Sequence, residues 1–537
     1  MDLRRLTTRM SAQSGREYKN QIVTFEQGKV VKRSHDVVHA DVMAACARLR
    51  AWGVDAGMRV GIFAPNCYEW VVYDLALLEV RAISVAFTDD FESMSNAELI
   101  QKYVLSLLLV SKSSSARTTE PSSCAVAFLD AETNGVMALN LRPAPLDTEF
   151  ENVGLAFSSG SSGRLKGLSL NRKGIEASVD AFTQAAKPRP DDCLLLFLPI
   201  SNFQQRLMYY SALWYGFDLI VTDPTRLFRA LKDLHPTILI APPMLYEAFE
   251  TRFFNLPPSK RLAARAAGAI AKRLPSKRWS ERLSRVVFKD AYEALGGCMR
   301  FMVSGMAPIK RSTLELFRMM QLPLFETYGM TEFGGITLNI PGANKLGSVG
   351  CPLPGVQVEL AEDGEVIAIR EDRIASGYFD CPEGEAERTF LSHDRVATGD
   401  VGRFDDDGYL YLIGRKKEMI ITAGGTKIHP EIPESAIDAC PDVARSVVFS
   451  DLGSNGLVAV VLPKNPCDES AKLRIQRFVD DLADQKPSIL ISKLIFIQEP
   501  FSRENGFLRP NLKLDRKNIS QHFLNGDGRS ESMARSA

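Results

Sequence analysis

At 537 residues the chain is too long for one compact core, so two or more domains are expected. The 65 Lys+Arg balance 65 Asp+Glu, so net charge offers no global attraction for nucleic acid, and 45% apolar with 24% charged residues suits a soluble globular enzyme. The longest apolar runs, such as LLLFLPI (194–200), are far too short to span a bilayer, and the first residues lack a signal-peptide core. The nine cysteines are scattered without a C-x-x-C, which suits free thiols in a reducing, cytoplasmic compartment.

Taken in chain order, DVVHADVMAACARLRAWG (36–53) reads as an amphipathic helix stopped by glycine. His35 and His39 could share its face, but they form no convincing metal pattern and read as solvated surface. RVGIFAP (59–65), CLLLFLP (193–199), FDLIVTD (217–223) and TILIAPP (237–243) are short apolar runs closed by Pro or Asp, the marks of buried strands. Strand and helix in alternation predict an α/β fold with parallel-rich sheets. The segment 258–289 carries many Lys and Arg against a single Glu, with helically spaced apolar residues on either side of Pro275. It reads as a solvated helical hairpin, or as a dock for an anionic membrane surface or an acidic carrier protein. From about Val349 short strands with Asp-Gly turns (AEDGEVIAI, DDDGYLYLI) predict hairpins in a small β-subdomain. From Arg415 the chain reads as a smaller α+β unit, ending in a polar Gly/Ser-rich stretch expected to lack structure.

Between the first strands lies GLAFSSGSSGRLKGLSLNRKGI (154–175), which reads either as a phosphate-holding loop or as a linker. A Walker loop places Lys directly after its second Gly and follows it with Ser or Thr, whereas here Lys166 precedes Gly167. The means are nonetheless similar: glycines turn backbone N–H groups toward an anion, hydroxyls donate, and a lysine supplies charge.

FSSGSSGRLKG (157–167) resembles the phosphate loop of the adenylate-forming superfamily of acyl- and aryl-CoA synthetases, adenylation domains and luciferases. SGMAP (304–308), YGMTE (328–332), GSVGCPLPGVQV (347–358), SGYF (376–379), TGD (398–400) and GRKKEMIITAGGTKIHP (414–430) resemble the superfamily's other signatures, in the same order. Together they cover roughly residues 24 to 520. LPISNFQQRLMYYSALWYGFDLIV, IAPPMLYEAF and NGFLRPNLKLDRKNI are most similar to the long-chain fatty-acid CoA ligase branch, though this chain is shorter and shows no membrane anchor.

The resemblance implies a large adenylating domain (1–414), a hinge (415–417) centred on Lys417, a mobile α+β domain (418–525) and a tail (526–537). It implies that Ser158, Gly160, Ser161, Ser162, Gly163 and Lys166 grip the phosphates of ATP. Thr331 would touch the α-phosphate and Glu332 would hold Mg²⁺. Tyr328, followed by Gly329, would stack on adenine, with Gly305, Ala307 and Pro308 on its other side. Asp400 would accept from the ribose hydroxyls, assisted by Arg415. Lys513 takes the place of the C-terminal catalytic lysine, and Gly424 and Gly425 would line the pantetheine tunnel. Asn202, Phe203 and Met306 would border the acid.

Several positions depart from the family pattern. Leu165 replaces a proline, serines replace the loop threonines, and Leu512 replaces the glycine before the catalytic lysine. Met306 stands where a second glycine borders the acyl tunnel, and Asn202 where a histidine is common, with Gln204 and Gln205 close by. A bulky Met306 should shorten the tunnel. The expected activity is therefore ATP- and Mg²⁺-dependent ligation of an aryl or short-to-medium acyl acid to the thiol of CoA or of an acidic acyl carrier protein. The alternatives are a long-chain acyl-CoA synthetase, an enzyme that stops at the adenylate or passes it to an amine, and a non-catalytic binding protein. No nucleic-acid partner and no transmembrane segment are expected, while peripheral membrane contact stays open.

Overall fold

The computed structural model describes residues 1–12, 20–111, 125–129, 136–141, 151–159, 165–274, 276–421, 427–450, 456–485, 489, 491–502, 504–508, 514–524 and 531–534. All four predicted buried strands are present, as Arg59–Phe63, Cys193–Leu196, Asp218–Val221 and Ile238–Ala241. Each is trimmed at its Pro- or Asp-bearing end: proline has no N–H for the ladder, and Asp223 caps the short helix Pro224–Arg226 instead. The predicted helix is His35–Ala51, and Gly53 beyond it has φ +87°. His35 departs from its expected solvated place. It is 4% exposed, its two ring nitrogens find no partner, and burial pushes its pKa down to about 4.

Two large sheets and a separate four-stranded one lie within the first 415 residues. The seven-stranded sheet runs, edge to edge, Ala375–Asp380, Leu165–Asn171, Asn152–Ser159, Ile83–Ala86, Arg59–Phe63, Leu107–Val110 and Val126–Phe128. Its central strands are parallel, and Arg59–Phe63 and Leu107–Val110 are buried throughout. Burial on both faces explains the apolar run of VGIF (60–63). The nine-stranded sheet sets Leu324–Met330, Phe301–Ser304, Ile238–Ala241, Cys193–Leu196 and Asp218–Val221 side by side in parallel. One core cluster, from Leu3 to Leu410, joins residues of both sheets.

The Asp-Gly turns behave as predicted. Gln357–Leu360 pairs antiparallel with Glu365–Ile369 around Gly364, and Arg395–Phe404 pairs with Leu410–Arg415 around Gly408. From Ile420 onward, apolar residues pack into separate clusters, one around Ile437, Val448 and Ile475 and another around Val447, Phe449 and Ile519. Within the closing stretch expected to lack structure, Glu531–Ala534 is instead an edge strand on Ile491–Phe496. Backbone pairing on an open sheet edge needs no apolar pattern, so composition gave no sign of it.

Candidate active site

Ligand sites in open α/β sheets lie beyond the carboxyl ends of the strands, and the candidate segments 304–308 and 328–332 lie there. Phe301–Ser304 and Leu324–Met330 are parallel neighbours, with Ser304 opposite Glu326. Gly305 to Pro308 follow the first strand, while Tyr328 to Glu332 end the second and continue past it. Gly329 sits at a register shift in the pairing with Gly334–Leu338, where an added Cβ would lie 2.4 Å from the carbonyl oxygen of Gly334. Only glycine fits that approach.

The segment 328–332 is the meeting point of distant parts of the chain. The buried Tyr328 hydroxyl donates to Asp400 Oδ2 at 2.6 Å, and Arg415 Nε lies 3.0 Å from Asp400 Oδ1. Asp400 and Arg415 face each other across the Arg395–Phe404/Leu410–Arg415 hairpin, so the strand register itself aligns them. Burial, with the Asp400 charge beside it, pushes the Tyr328 hydroxyl far above its ordinary pKa and keeps it a donor. Thr331 Oγ1 accepts from Gln204 Nε2 at 2.9 Å. Glu332 Oε1 accepts from Ser158 Oγ at 3.2 Å and from the Tyr378 hydroxyl at 3.1 Å.

Ser158 and Lys166 face each other in the antiparallel hairpin of Asn152–Ser159 and Leu165–Asn171. Gly160, Ser161, Ser162 and Gly163, between the two strands in sequence, lie outside the described residues, as do Gly424, Gly425 and Lys513. Lys166 Nζ donates to Glu385 Oε1 and lies 5.1 Å from the Tyr378 ring centroid. Lys417 Nζ is 3.6 Å from the same Glu385 oxygen. Burial pushes the Glu385 carboxyl up, but the Lys166 hydrogen bond and the two lysine charges outweigh it and hold the group below its usual range.

At the expected acid side, Asn202 is the half-buried residue before the Phe203–Tyr215 helix. Phe203 is only 2% exposed, packed in the core beneath the Arg206 guanidinium at 5.6 Å. Met306 is 44% exposed and holds φ +70°, a left-handed conformation natural to glycine and strained for methionine. Ala307 is half-buried and Pro308 exposed.

Three site neighbours escaped the sequence reading: Tyr378, Glu385 and the Gln204–Thr331 contact. Tyr378 lay inside the quoted SGYF and could have been found there. Glu385 carried no local signal, since its lysine partner is 219 positions away.

For a metal, no group of three or more His, Cys, Asp or Glu converges among the described residues. A single carboxylate beside a phosphate loop fits Mg²⁺, which commonly takes one or two carboxylates plus substrate phosphates. Glu332, which accepts from Ser158 beside the candidate loop, is a carboxylate of that kind.

Residues 12–379 match the AMP-binding enzyme family. The long-chain-fatty-acid–CoA ligase FadD15 of Mycobacterium bovis is 27% identical over 551 residues, covering 90% of this chain and 89% of that protein. In fold, the chain is similar to o-succinylbenzoate CoA synthetase of Bacillus subtilis, solved with its acyl-adenylate intermediate. That match has a TM-score of 0.70, 19% identity and coverage of 96% and 97%. It is also similar to an amide bond synthetase of Marinactinospora thermotolerans, with a TM-score of 0.74, 20% identity and coverage of 97% and 99%. No described helix is long and apolar enough to cross a membrane. With the family matched over more than half of its length, the chain belongs to the AMP-binding enzyme family, the adenylate-forming superfamily.

Proposed function

We propose that the protein is an AMP-forming acid–thiol ligase, which activates a carboxylic acid as acyl-AMP with release of pyrophosphate and transfers the acyl group to a phosphopantetheine thiol. The observation that carries this reading is the convergence on residues 328–332 of Asp400, Gln204, Ser158 and Tyr378 from four separate parts of the chain.

A carboxylate is a poor electrophile, so it must first attack the α-phosphate of ATP. Charge then builds on phosphate oxygens, and positioned donors and cations carry most of the rate. Ser158 and Lys166, with the loop between them, supply donors to the β- and γ-phosphates, while Thr331 serves the α-phosphate. Asp400 and Arg415 orient the ribose, and Tyr328 borders the base. Glu332 would hold Mg²⁺, which when bound neutralises phosphate charge. Lys513 would approach the reacting carboxylate and α-phosphate, with Lys417 as the hinge that exchanges it for the tunnel lined by Gly424 and Gly425.

For the acid, we favour an aryl or short-to-medium acyl chain, supported by the bulk and exposure of Met306. A long-chain acid is the second reading, supported by the name of the Mycobacterium bovis relative. The same relative supports CoA as the acceptor, with a carrier protein as the alternative. The test is acid-dependent pyrophosphate release over acids from acetate to palmitate and over aromatic acids, in wild type and Lys513→Ala. Release confined to shorter or aromatic acids, reduced about 100-fold or more in the variant, is the expected result. Preference for palmitate in the wild type would establish the second reading. Silence with every acid, despite measurable ATP binding, would sink the ligase reading. Met306→Gly should extend the accepted chain, and no extension would remove Met306 as the determinant.

A further inference from the structure

The basic segment folds as two helices, Pro258–Arg273 and Lys277–Val287, packed against each other and, through the first, against Arg311–Met319. Their inward faces are unusual. Ala264, Gly268 and Ala271 of the first helix are the buried positions, with Gly268 pressed on Met319, and Ser280 and Ser284 are those of the second. Ser280 Oγ donates to the carbonyl of Ala271 and ties the pair together. Small residues face inward, while Leu262, Ile270, Trp279 and Val286 face outward.

Leu262, Ala266, Ala269, Ile270 and Arg273 share one outward stripe at helical spacing, with Leu262 71% and Ile270 56% exposed. On the second helix Trp279, Arg282 and Val286 do the same, with Trp279 62% and Val286 76% exposed and Leu283 half-buried between them. The Arg282 guanidinium lies 5.3 Å from the Trp279 ring centroid. Turning four large apolar side chains to water costs stability unless something covers them.

Charge identifies the cover. Residues 258–289 hold ten Lys or Arg against one Glu, a net +9. The whole chain is neutral, so the remainder carries −9. A molecule polarised in this way turns its hairpin toward an anionic plane and its remaining surface away from it. An acidic protein would satisfy the cations, but arginines alternating with outward Trp, Leu, Ile and Val match the layered polarity of a lipid interface, with headgroup phosphate above acyl chain.

We propose that the 258–287 helical hairpin is a peripheral membrane dock, which seats Leu262, Ile270, Trp279 and Val286 among the acyl chains of an anionic leaflet while its arginines engage lipid phosphates. The dock stands independently of the ligase reading.

The test is flotation of the full chain with vesicles of phosphatidylcholine alone or mixed with phosphatidylglycerol, followed in parallel by tryptophan emission. Trp52 and Trp70 are buried and Trp214 half-buried, so a blue shift reports chiefly on Trp279. Expected are flotation with the anionic vesicles only, weakened by salt, and a blue shift absent from Trp279→Gln. Partition should fall about tenfold or more in the charge variant Arg265→Glu/Arg282→Glu and in the apolar variant Leu262→Gln/Ile270→Gln/Val286→Gln. Both variants should keep the wild-type melting temperature and ATP affinity, which separates lost docking from lost folding. Absence of flotation with either vesicle, or flotation indifferent to both variants, would overturn the proposal. Capture of an acidic carrier protein, or self-association lost in the apolar variant, in place of vesicle binding would equally overturn it.

Discussion

Two ion pairs, both largely withdrawn from water, do opposite work in this molecule. Asp74 and Arg206 are 0% and 1% exposed, and the aspartate also accepts from Ser84 and from the hydroxyls of Tyr209 and Tyr210. Burial disfavours the Arg206 charge, but Asp74 outweighs it and raises its pKa. Trp70, Phe203 and Tyr210 close around the guanidinium, leaving no route for a ligand. Lys166 and Glu385 are 8% and 11% exposed, beside the candidate phosphate loop, and Glu385 is shared with Lys417. The first pair is closed by its neighbours and holds the fold. On the proposed reading the second is an exchangeable contact, in which a carboxylate takes the place an ATP phosphate would claim.

Breaking the closed pair should have the largest effect. Asp74→Ala leaves Arg206 charged and unpaired in the core, at a cost of about 3–5 kcal/mol, to be read as a lower denaturation midpoint. A loss below about 1 kcal/mol would mean water reaches Arg206. Breaking the open pair from the lysine side should leave stability nearly intact while slowing pyrophosphate release about 100-fold. Lys166→Ala that unfolds instead would place this pair with the first.

A third buried carboxyl sharpens the contrast. Among the described residues Glu326 has a single side-chain partner, the Gly347 N–H on its Oε2 at 3.1 Å, and burial pushes its pKa from 4.5 to about 8. Between those values the unfolded chain is ionised while the folded chain keeps its proton, so folding stability falls as pH rises through that window. Glu326→Gln should therefore stabilise by about 2 kcal/mol at pH 8 and hardly at pH 4. Equal effects at both pH values would show that Glu326 ionises normally. The smallest effect is expected from Glu385→Gln, which frees Lys166 for phosphate and should lower the apparent KM for ATP about threefold. A higher KM would make Glu385 a positioning residue for Lys166 rather than its competitor.

The four buried strands were legible because parallel central strands are apolar on both faces, and the hairpins because Asp-Gly turns require glycine's left-handed backbone. Motif order likewise pointed to Ser158, Lys166, Tyr328, Glu332 and Asp400, and Met306 declared itself by standing at a glycine position. The buried His35, the closing edge strand and Glu385 could not be read in that way. Each depends on what a distant segment places beside it.

The sequence by itself determined the α/β alternation, the order of the motifs, and the identity of the side chains that gather around residues 328–332. Only the tertiary structure decided that Glu385 lies between Lys166 and Lys417, that Asp74 and Arg206 are sealed together, and that the basic hairpin turns its large apolar residues outward. Local pattern reports what a residue can bury or bond. Which partner it meets depends on strand register and helix packing across hundreds of positions, and those are settled by burial of the whole core at once.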